Sequence, residues 1–211
     1  MFVKSVIIYY NMRVMGEGVK FSEKENGMDN GASSYRRFLS GDESALIEII
    51  SIYRPGLQNY INSFVRNISV AEDLTEDTFV KLLIKKPRDR SEASFKTWLY
   101  TIGRNIAIDW LRKNPKGREI PFDDAIEAEA GESSLEENYY ADEISMAVRQ
   151  ALEEIKPEYK QVLWLFYFEE FSVPDIAKII RKSKNNTSVL LHRAKAALKK
   201  QLEKENFDYE I

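Results

Sequence analysis

A cluster of aromatic and cationic side chains between residues 91 and 113 has the composition of a surface for nucleic acid. The stretch SEASFKTWLYTIGRNIAIDWLRK holds two tryptophans and a tyrosine among lysines and arginines. Ammonium and guanidinium groups can hold phosphates, an aromatic face can hold an unstacked base, and hydroxyls and amides can reach base edges. The stretch is therefore a candidate for binding single-stranded nucleic acid.

Helical geometry separates this stretch into two faces, because successive residues turn by about 100°. One stripe is apolar and is predicted to pack in a core, namely Phe95, Leu99, Ile102, Ile106 and Trp110. The opposing sector carries polar and cationic side chains, namely Thr97, Thr101, Arg104, Asn105 and Arg112, with Trp98 at its border. A boundary position in the core is the alternative interpretation of Trp98, and the spacing alone does not decide between the two.

Three carboxylates precede the aromatic stretch. Asp73, Glu76 and Asp77 are spaced at i, i+3 and i+4, so they share one helix face that turns away from Phe79 and Leu82. Such a face is usually only solvated. Because it would repel a phosphate backbone, a partner at this face is expected to be a basic protein surface.

The composition excludes several other kinds of site. The chain has no cysteine and a single histidine, His192, which leaves no disulfide, no thiolate and no histidine-rich metal site. No nucleophile and base pair is recognisable, so we expect no catalytic residue, no metal and no cofactor. No run of about 18 apolar residues is present, so no membrane insertion is expected. The absence of cysteine fits a cytoplasmic location.

The sign of the charge alternates along the chain, although the net charge is only −3. Residues 95–118 include six basic residues and one acidic residue, residues 119–143 include ten acidic residues and no basic residue, and residues 181–204 include eight basic residues and one acidic residue. Two basic modules therefore flank an acidic connector. The connector has no sustained apolar period, which is typical of a flexible linker.

Helices are predicted to position all of these groups. Pro55 is expected to break the helical run that begins after Ser40 or Asp42. A capping box formed by Ser69 and Glu72 is expected to begin the next helix. Near the C-terminus, a short helix capped by Ser172 with Asp175, a turn and a longer basic helix have the shape of a helix-turn-helix, whose second helix enters the major groove of DNA. The packed stripe of that second helix is expected to be Leu191, Ala194, Leu198 and Leu202.

Four segments together resemble a known family. In chain order they are AEDLTEDTFVKLL, SFKTWLYTIGRNIAIDWLRK, ALEEIKPEYKQVLWLFYFEEFSVPDIAKII and LLHRAKAAL, with the acidic connector between the second and the third. This set resembles the bacterial RNA polymerase sigma factors of the sigma-70 family, extracytoplasmic-function (ECF) branch. The match covers about residues 35–113 and 143–203.

The resemblance implies an all-α protein with two small helical domains. Sigma region 2 is expected at 35–114 and the sigma region 4 helix-turn-helix at 142–205, joined by the acidic flexible linker at 115–141. Residues 1–34 are expected to be a disordered or mis-assigned extension, with translation starting at Met1 or Met28, and residues 206–211 to be a tail.

The resemblance further implies a non-catalytic subunit that binds the clamp helices of core RNA polymerase and directs promoter-specific initiation. It would recognise and melt the −10 element and bind the −35 element, and so contact both single-stranded and duplex promoter DNA.

The segment that matches the family's polymerase contact carries Asp73, Leu74, Glu76, Asp77 and Phe79. The residues matching the −10 helix are Lys96, Trp98, Tyr100, Thr101, Arg104 and Asn105, with Arg112 and Lys113 continuing onto duplex. The loop expected to border a flipped base carries Arg88, Asp89, Arg90, Ser91 and Ser94. The expected −35 contacts are Lys182, Lys184, Asn185, Asn186, Ser188, His192, Arg193 and Lys195.

The helix-turn-helix departs from the family pattern in two places. Arg181 stands where the family usually has a glycine, and NNTSVL at residues 185–190 replaces its glycine-threonine-valine-lysine-serine-arginine run. Two donors of the phosphate-binding type are therefore missing, which makes the −35 contacts the weakest part of the match.

Two other functions are left open by the sequence. A helix-turn-helix regulator that acts without polymerase would not need the DLTEDTF segment or the strip around Trp98. A helical adaptor that binds only proteins would show no affinity for DNA. Whether an anti-sigma factor binds the chain is also left open.

Overall fold

The computed structural model describes residues 31–85, 94–115, 148 and 150–204. Every regular element in this part of the chain is a helix, and none is long and apolar enough to cross a membrane. The helices are α1 Ala32–Leu39, α2 Ser44–Val65, α3 Ile68–Lys85, α4 Phe95–Lys113, α5 Pro157–Leu163, the π-helical turn Trp164–Phe168, α6 Val173–Ile180 and α7 Lys184–Lys204. Residues 150–154 are also helical. The predicted all-α class is confirmed.

The described residues fall into two compact units. The first unit holds residues 31–85, 94–115 and 171–184, and the second holds 148, 150–170 and 185–204. The sequence assigned α6 to a C-terminal domain at 142–205, whereas its contacts group it with α4. The domain limits read from the sequence stay a prediction.

Helix α2 runs without a break through Pro55, contrary to the expectation from the sequence. A proline inside a helix lacks an N–H group and leaves the carbonyl of residue i−4 without its donor. Pro55 is exposed, and so is Ser51, the residue whose carbonyl loses its donor. Water can therefore reach that carbonyl, and α2 continues.

Helix α3 is capped two residues earlier than expected. Asn67 accepts a hydrogen bond from the backbone N–H of Val70 at 3.0 Å, and its carbonyl oxygen accepts one from Ala71 at 2.9 Å. Asn67 therefore acts as the N-terminal cap. Ser69 and Glu72 already lie inside the helix, so the capping box predicted for them is wrong.

The core of the first unit lies where α2, α3 and α4 meet. Its largest fully buried side chains include Ile49, Leu57, Tyr60, Ile61, Leu82, Leu99 and Tyr100. Gly103 marks a close contact of α4 with α2, because a Cβ atom placed there would lie 2.9 Å from Cδ1 of Leu57. Glycine at this position lets α4 settle deeply against its neighbours.

The second unit is built from residues 150–154, α5, the π-helical turn and α7. Trp164 and Phe168, at the two ends of the π-helical turn, stack with their ring centroids 4.2 Å apart. Lys160 is buried and paired with Glu153, as a buried ammonium requires. The predicted packed stripe of α7 is confirmed: Leu191, Ala194, Leu198 and Leu202 are all buried, and Thr187 joins them.

Candidate nucleic-acid and polymerase interface

The first turn of α4 is fixed by Ser94. Its hydroxyl oxygen accepts a hydrogen bond from the backbone N–H of Thr97 at 3.2 Å, and the hydroxyls of Ser94 and Thr97 are hydrogen-bonded to each other at 2.8 Å. One turn later, the Thr101 hydroxyl donates to the carbonyl of Thr97 at 2.7 Å. These bonds occupy groups that the sequence suggested for contacts with bases. Thr97 is buried, and Thr101 is half-buried.

The buried stripe of α4 is rotated from the predicted one. Phe95 and Leu99 are buried as expected, but Ile102, Ile106 and Trp110 are only half-buried. The positions that enter the core are Gly103, Ala107 and Leu111. Close helix crossings select small residues, which carry little weight in a hydrophobic pattern. The larger side chains are thereby turned toward the rim of the core.

Trp98 lies at the boundary between core and surface. Its ring centroid is 5.4 Å from that of Tyr35 on α1 and 5.8 Å from that of Phe95. The residue is half-buried, so part of the indole remains accessible. Aromatic neighbours on the packed side fix the orientation of the ring, and the accessible part is available to a ligand.

Tyr100 lies in the core and not on the accessible strip. Its relative exposure is 1%, and its ring centroid lies 5.5 Å from that of Tyr60 and 5.0 Å from that of Phe171. We correct the sequence-based expectation accordingly: in this conformation the ring packs and does not reach DNA. Lys96 is half-buried beside it, with its Nζ atom 5.6 Å from the Tyr100 centroid and 4.8 Å from the Phe171 centroid.

The remaining cationic and polar groups of α4 are more accessible toward its C-terminus. Arg104 and Asn105 are half-buried, whereas Arg112 and Lys113 are exposed. Arg112 also makes a long ion pair with Asp109, at 3.5 Å. An exposed ion pair of this kind contributes little free energy. The guanidinium of Arg112 can therefore leave Asp109 and bind a phosphate instead.

The acidic stripe of α3, comprising Asp73, Glu76 and Asp77, faces solvent. Leu74 and Phe79, which the sequence grouped with it as polymerase contacts, are each 5% exposed and belong to the core. This placement is a correction for these two residues, because α3 turns them toward the opposite side. They can support the stripe but cannot touch a partner in this conformation.

Arg54 on α2 reaches the acidic stripe. Its Nη2 atom lies 2.8 Å from Oε1 of Glu72 and 3.2 Å from Oε1 of Glu76. Sequence analysis missed this residue, since an arginine 22 positions before Glu76 gives no periodic signal. One carboxylate of the stripe is therefore partly neutralised within the protein.

The N-terminal half of α7 presents the residues expected to contact the −35 element. Six of them and the preceding Lys182 are exposed, namely Lys182, Lys184, Asn185, Asn186, Ser188, His192 and Arg193. Lys195 is only half-buried, with its Nζ atom 4.3 Å from the ring centroid of Phe166 and 5.3 Å from that of Tyr167. Burial raises the pKa of the Tyr167 phenol, so the ring stays a neutral partner for the ammonium.

Arg181 ends α6 in the left-handed conformation, with φ 56° and ψ 47°. This region of backbone space favours glycine, which explains why a glycine is expected at this position of a helix-turn-helix. The N-terminal cap of the same helix is confirmed, since the Ser172 hydroxyl accepts the backbone N–H of Asp175 at 3.3 Å. The end of α6 therefore adopts the left-handed backbone that a glycine would favour, in spite of the unusual residue.

Part of the predicted site cannot be placed. Arg88, Asp89, Arg90 and Ser91 of the expected flipped-base loop lie outside the described residues, as does most of the acidic connector. Of that loop, only Ser94 is described. Val189 on α7 was missed by the sequence analysis, although it is 49% exposed among the expected DNA contacts.

Comparison with protein families gives two matches in chain order. The model of sigma-70 region 2 matches residues 49–116, and the model of sigma-70 region 4 matches residues 145–198. The curated relatives include the RNA polymerase sigma factor YlaC of Bacillus subtilis strain 168, which is 33% identical over 162 residues, or 74% of this chain and 92% of that protein. The ECF RNA polymerase sigma factor SigW of the same strain is 27% identical over 172 residues, covering 77% of this chain and 91% of that protein.

Solved structures of similar fold include the following two proteins. The sigma factor RpoE from Bartonella quintana, solved with the anti-sigma factor NepR, matches with a TM-score of 0.58 and 24% identity, covering 74% of this chain and 95% of that chain. CnrH, solved with the cytosolic domain of CnrY, matches with a TM-score of 0.59 and 18% identity, covering 83% of this chain and 98% of that chain. These likenesses bear on the fold alone. The two family matches and the 33% identity to YlaC show that the chain belongs to the sigma-70 family of RNA polymerase sigma factors, ECF branch.

Proposed function

We propose that this sigma factor binds core RNA polymerase through the acidic stripe of α3, captures the separated −10 strand with α4 and reads the −35 duplex with α7. As a member of its family it is an initiation subunit without a catalytic site of its own. The observation that carries the proposal is the pairing of two unlike surfaces on one compact unit. An exposed row of carboxylates lies on α3, and a half-buried Trp98 with neighbouring cations lies on α4.

The two surfaces suit different partners for electrostatic reasons. Asp73 and Asp77 would repel DNA phosphates and attract a basic protein surface. Trp98, Arg104 and Asn105 combine a partly accessible ring, a cation and an amide on one helix, which suits an unstacked base on its phosphate chain. A protein that only regulated DNA would not need the carboxylates, and a protein-binding adaptor would not need the aromatic strip.

The free energy needed to open promoter DNA is larger than this chain can supply without the polymerase. Opening about ten base-pair steps costs on the order of 14 kcal/mol at roughly 1.4 kcal/mol per step. Capture of one base on an aromatic ring returns only about 1–3 kcal/mol. The chain is therefore expected to trap DNA that the polymerase opens and holds, and not to melt a promoter by itself.

One chain is long enough to hold both promoter elements. The 27 residues at 115–141 can span at most about 90 Å when fully extended. Elements about 16 base pairs apart are separated by roughly 55 Å at 3.4 Å per pair. Simultaneous contact by α4 and α7 is thus within reach.

Reconstitution with purified core polymerase tests the proposal. We expect the full chain to bind core enzyme and to confer initiation at specific start sites, which mapping of transcript 5′ ends would reveal. Binding to DNA with no contribution from the polymerase would point to a regulator instead. Failure to bind either DNA or polymerase, with other proteins still captured, would point to an adaptor.

We also propose a cytoplasmic location and control by an anti-sigma protein. The second point is supported by a relative in fold, the sigma factor RpoE from Bartonella quintana, which was solved with the anti-sigma factor NepR. Affinity purification of the tagged full chain from cells would test it. A stoichiometric small protein that blocks reconstituted initiation is the expected finding, and an initiation-competent holoenzyme as the sole complex would contradict it.

A further inference from the structure

Val189 lies on the exposed face of α7, in the second turn of the helix. Its exposure is 49%, whereas Thr187, two residues before it, and Leu191, two residues after it, are buried. Asn185 precedes it by four residues and His192 follows it by three, so the three side chains form one row along the helix. Asn185 and His192 are exposed as well.

A single exposed apolar residue is ordinary on a protein surface and by itself indicates nothing. Val189 differs from such a residue in its surroundings. It stands in the first two turns of the second helix of a helix-turn-helix, the part of this motif that meets base edges. No acidic residue occurs between positions 181 and 202, so the whole face is compatible with phosphates.

The chemistry of the major groove gives an isopropyl group one specific target. Thymine is the base that presents a methyl group in that groove, and apolar side chains recognise it by contact. The same isopropyl group placed against the N4 amino group of cytosine or the N6 amino group of adenine would remove water from a donor without replacing its hydrogen bond. Valine therefore favours thymine by attraction and disfavours the other bases by desolvation.

We propose that Val189 is a specificity-determining residue of this sigma factor, which reads the C5 methyl group of a thymine in the −35 duplex. The inference rests on the proposed function, in which α7 enters the major groove. Asn185 and His192 stand about 6 Å and about 4.5 Å from Val189 along the helix axis, at 1.5 Å per residue. Since base pairs are spaced by about 3.4 Å, these two side chains face base pairs within about two steps of the thymine.

Substitution of deoxyuridine for thymine isolates the methyl group. Holoenzyme made from core polymerase and the full chain is first used to select promoters from a random library, and each thymine of the selected −35 element is then replaced singly by deoxyuridine. A lost methyl group is worth about 0.8 kcal/mol, so we expect about a fourfold loss of −35-dependent binding at one position. Val189→Ala is expected to bind the thymine and deoxyuridine promoters equally.

Val80→Ala is the matched control. Val80 is 48% exposed, but it lies on α3, so this variant is expected to keep the full difference between thymine and deoxyuridine. Restoring a methyl group in another base gives a second readout. A 5-methylcytosine at the sensitive position is expected to bind wild type more tightly than cytosine does, with no such gain for Val189→Ala.

Two results separate the failure of this inference from the failure of the proposed function. If Arg193→Ala weakens −35-dependent binding while no thymine is sensitive to deoxyuridine, α7 binds DNA and the role of Val189 is refuted. Selection of a −35 element without thymine, or equal sensitivity in Val189→Ala, refutes it as well. If selected promoters show no −35 preference and Arg193→Ala has no effect, the assignment of α7 itself is wrong.

Discussion

Arg54 of α2 and Glu76 of α3 form an ion pair, with 3.2 Å between Nη2 and Oε1, and the same nitrogen lies 2.8 Å from Glu72. The pair joins two helices across the surface proposed to meet the polymerase. Asp73 and Asp77 form no ion pair among the described residues. The charge available to a partner is therefore concentrated on these two aspartates.

Reversing the charge of Asp73 is expected to weaken binding to core polymerase. Asp73→Lys removes one attraction and adds one repulsion at an exposed position, which we expect to lower affinity by about tenfold, or about 1.4 kcal/mol. Fluorescence titration of labelled protein with core enzyme measures the change. Glu154→Lys, a reversal at an exposed acidic residue of the second unit, is the control and should bind as wild type does. Equal affinity for Asp73→Lys would remove the stripe from the interface.

Removing Arg54 is expected to act differently. Arg54→Gln breaks a pair whose side chains are 41% and 63% exposed, so the free energy of unfolding should fall by no more than about 1 kcal/mol. Because Glu76 then regains its full charge, affinity for core polymerase should stay the same or rise. Urea denaturation and the same titration check both points. Clearly weaker binding would mean that Arg54 itself touches the polymerase.

Trp98→Ala is expected to separate polymerase binding from promoter opening. The ring packs on Tyr35 and Phe95, so truncation costs some stability, but the acidic stripe lies on another helix. Holoenzyme should form, whereas permanganate reactivity of thymines near the −10 element should be lost. Trp98→Phe keeps an aromatic face and should recover part of the reactivity. Unchanged reactivity in the alanine variant would overturn the role of Trp98.

Arg181→Gly is expected to stabilise the protein. A left-handed residue with a Cβ atom costs about 1–2 kcal/mol, and glycine avoids this cost while losing some entropy on folding. We expect a net gain of about 0.5–1 kcal/mol in the free energy of unfolding, measured by urea denaturation. Arg181→Ala keeps the Cβ atom and should show no gain. Destabilisation by glycine would mean that the arginine side chain makes a contact that outweighs the backbone strain.

Gly103 is expected to tolerate only the smallest substitution. In Gly103→Ala the new Cβ atom would lie 2.9 Å from a methyl group of the fully buried Leu57, and about 1 kcal/mol of gained helix propensity offsets much of the required shift. Gly103→Val adds two further methyl groups beside Ile61 and Thr78, and should destabilise by about 1–3 kcal/mol. Near-equal stability of wild type and the valine variant would contradict the close crossing of α4.

The sequence by itself determined the helical class, the packed stripe of α7 and the exposure of the three carboxylates. Each of these follows from a local period: Leu191, Ala194, Leu198 and Leu202 recur at helical spacing, and so do Asp73, Glu76 and Asp77. The Ser172 cap was equally local, since its hydroxyl bonds to a group three residues away. Periodicity and capping depend on neighbours in the chain, and these are visible without a fold.

Only the tertiary structure decided which face of α4 is buried, because that depends on how closely other helices approach. In the folded protein the small residues Gly103 and Ala107 are buried, whereas the larger Ile102 and Ile106 are half-buried. With α4 in this orientation, Tyr100 is buried and Trp98 stays partly accessible. The packing of the helices also brings Arg54 to Glu76. Contacts between residues distant in sequence carry no period, and so packing alone fixes them.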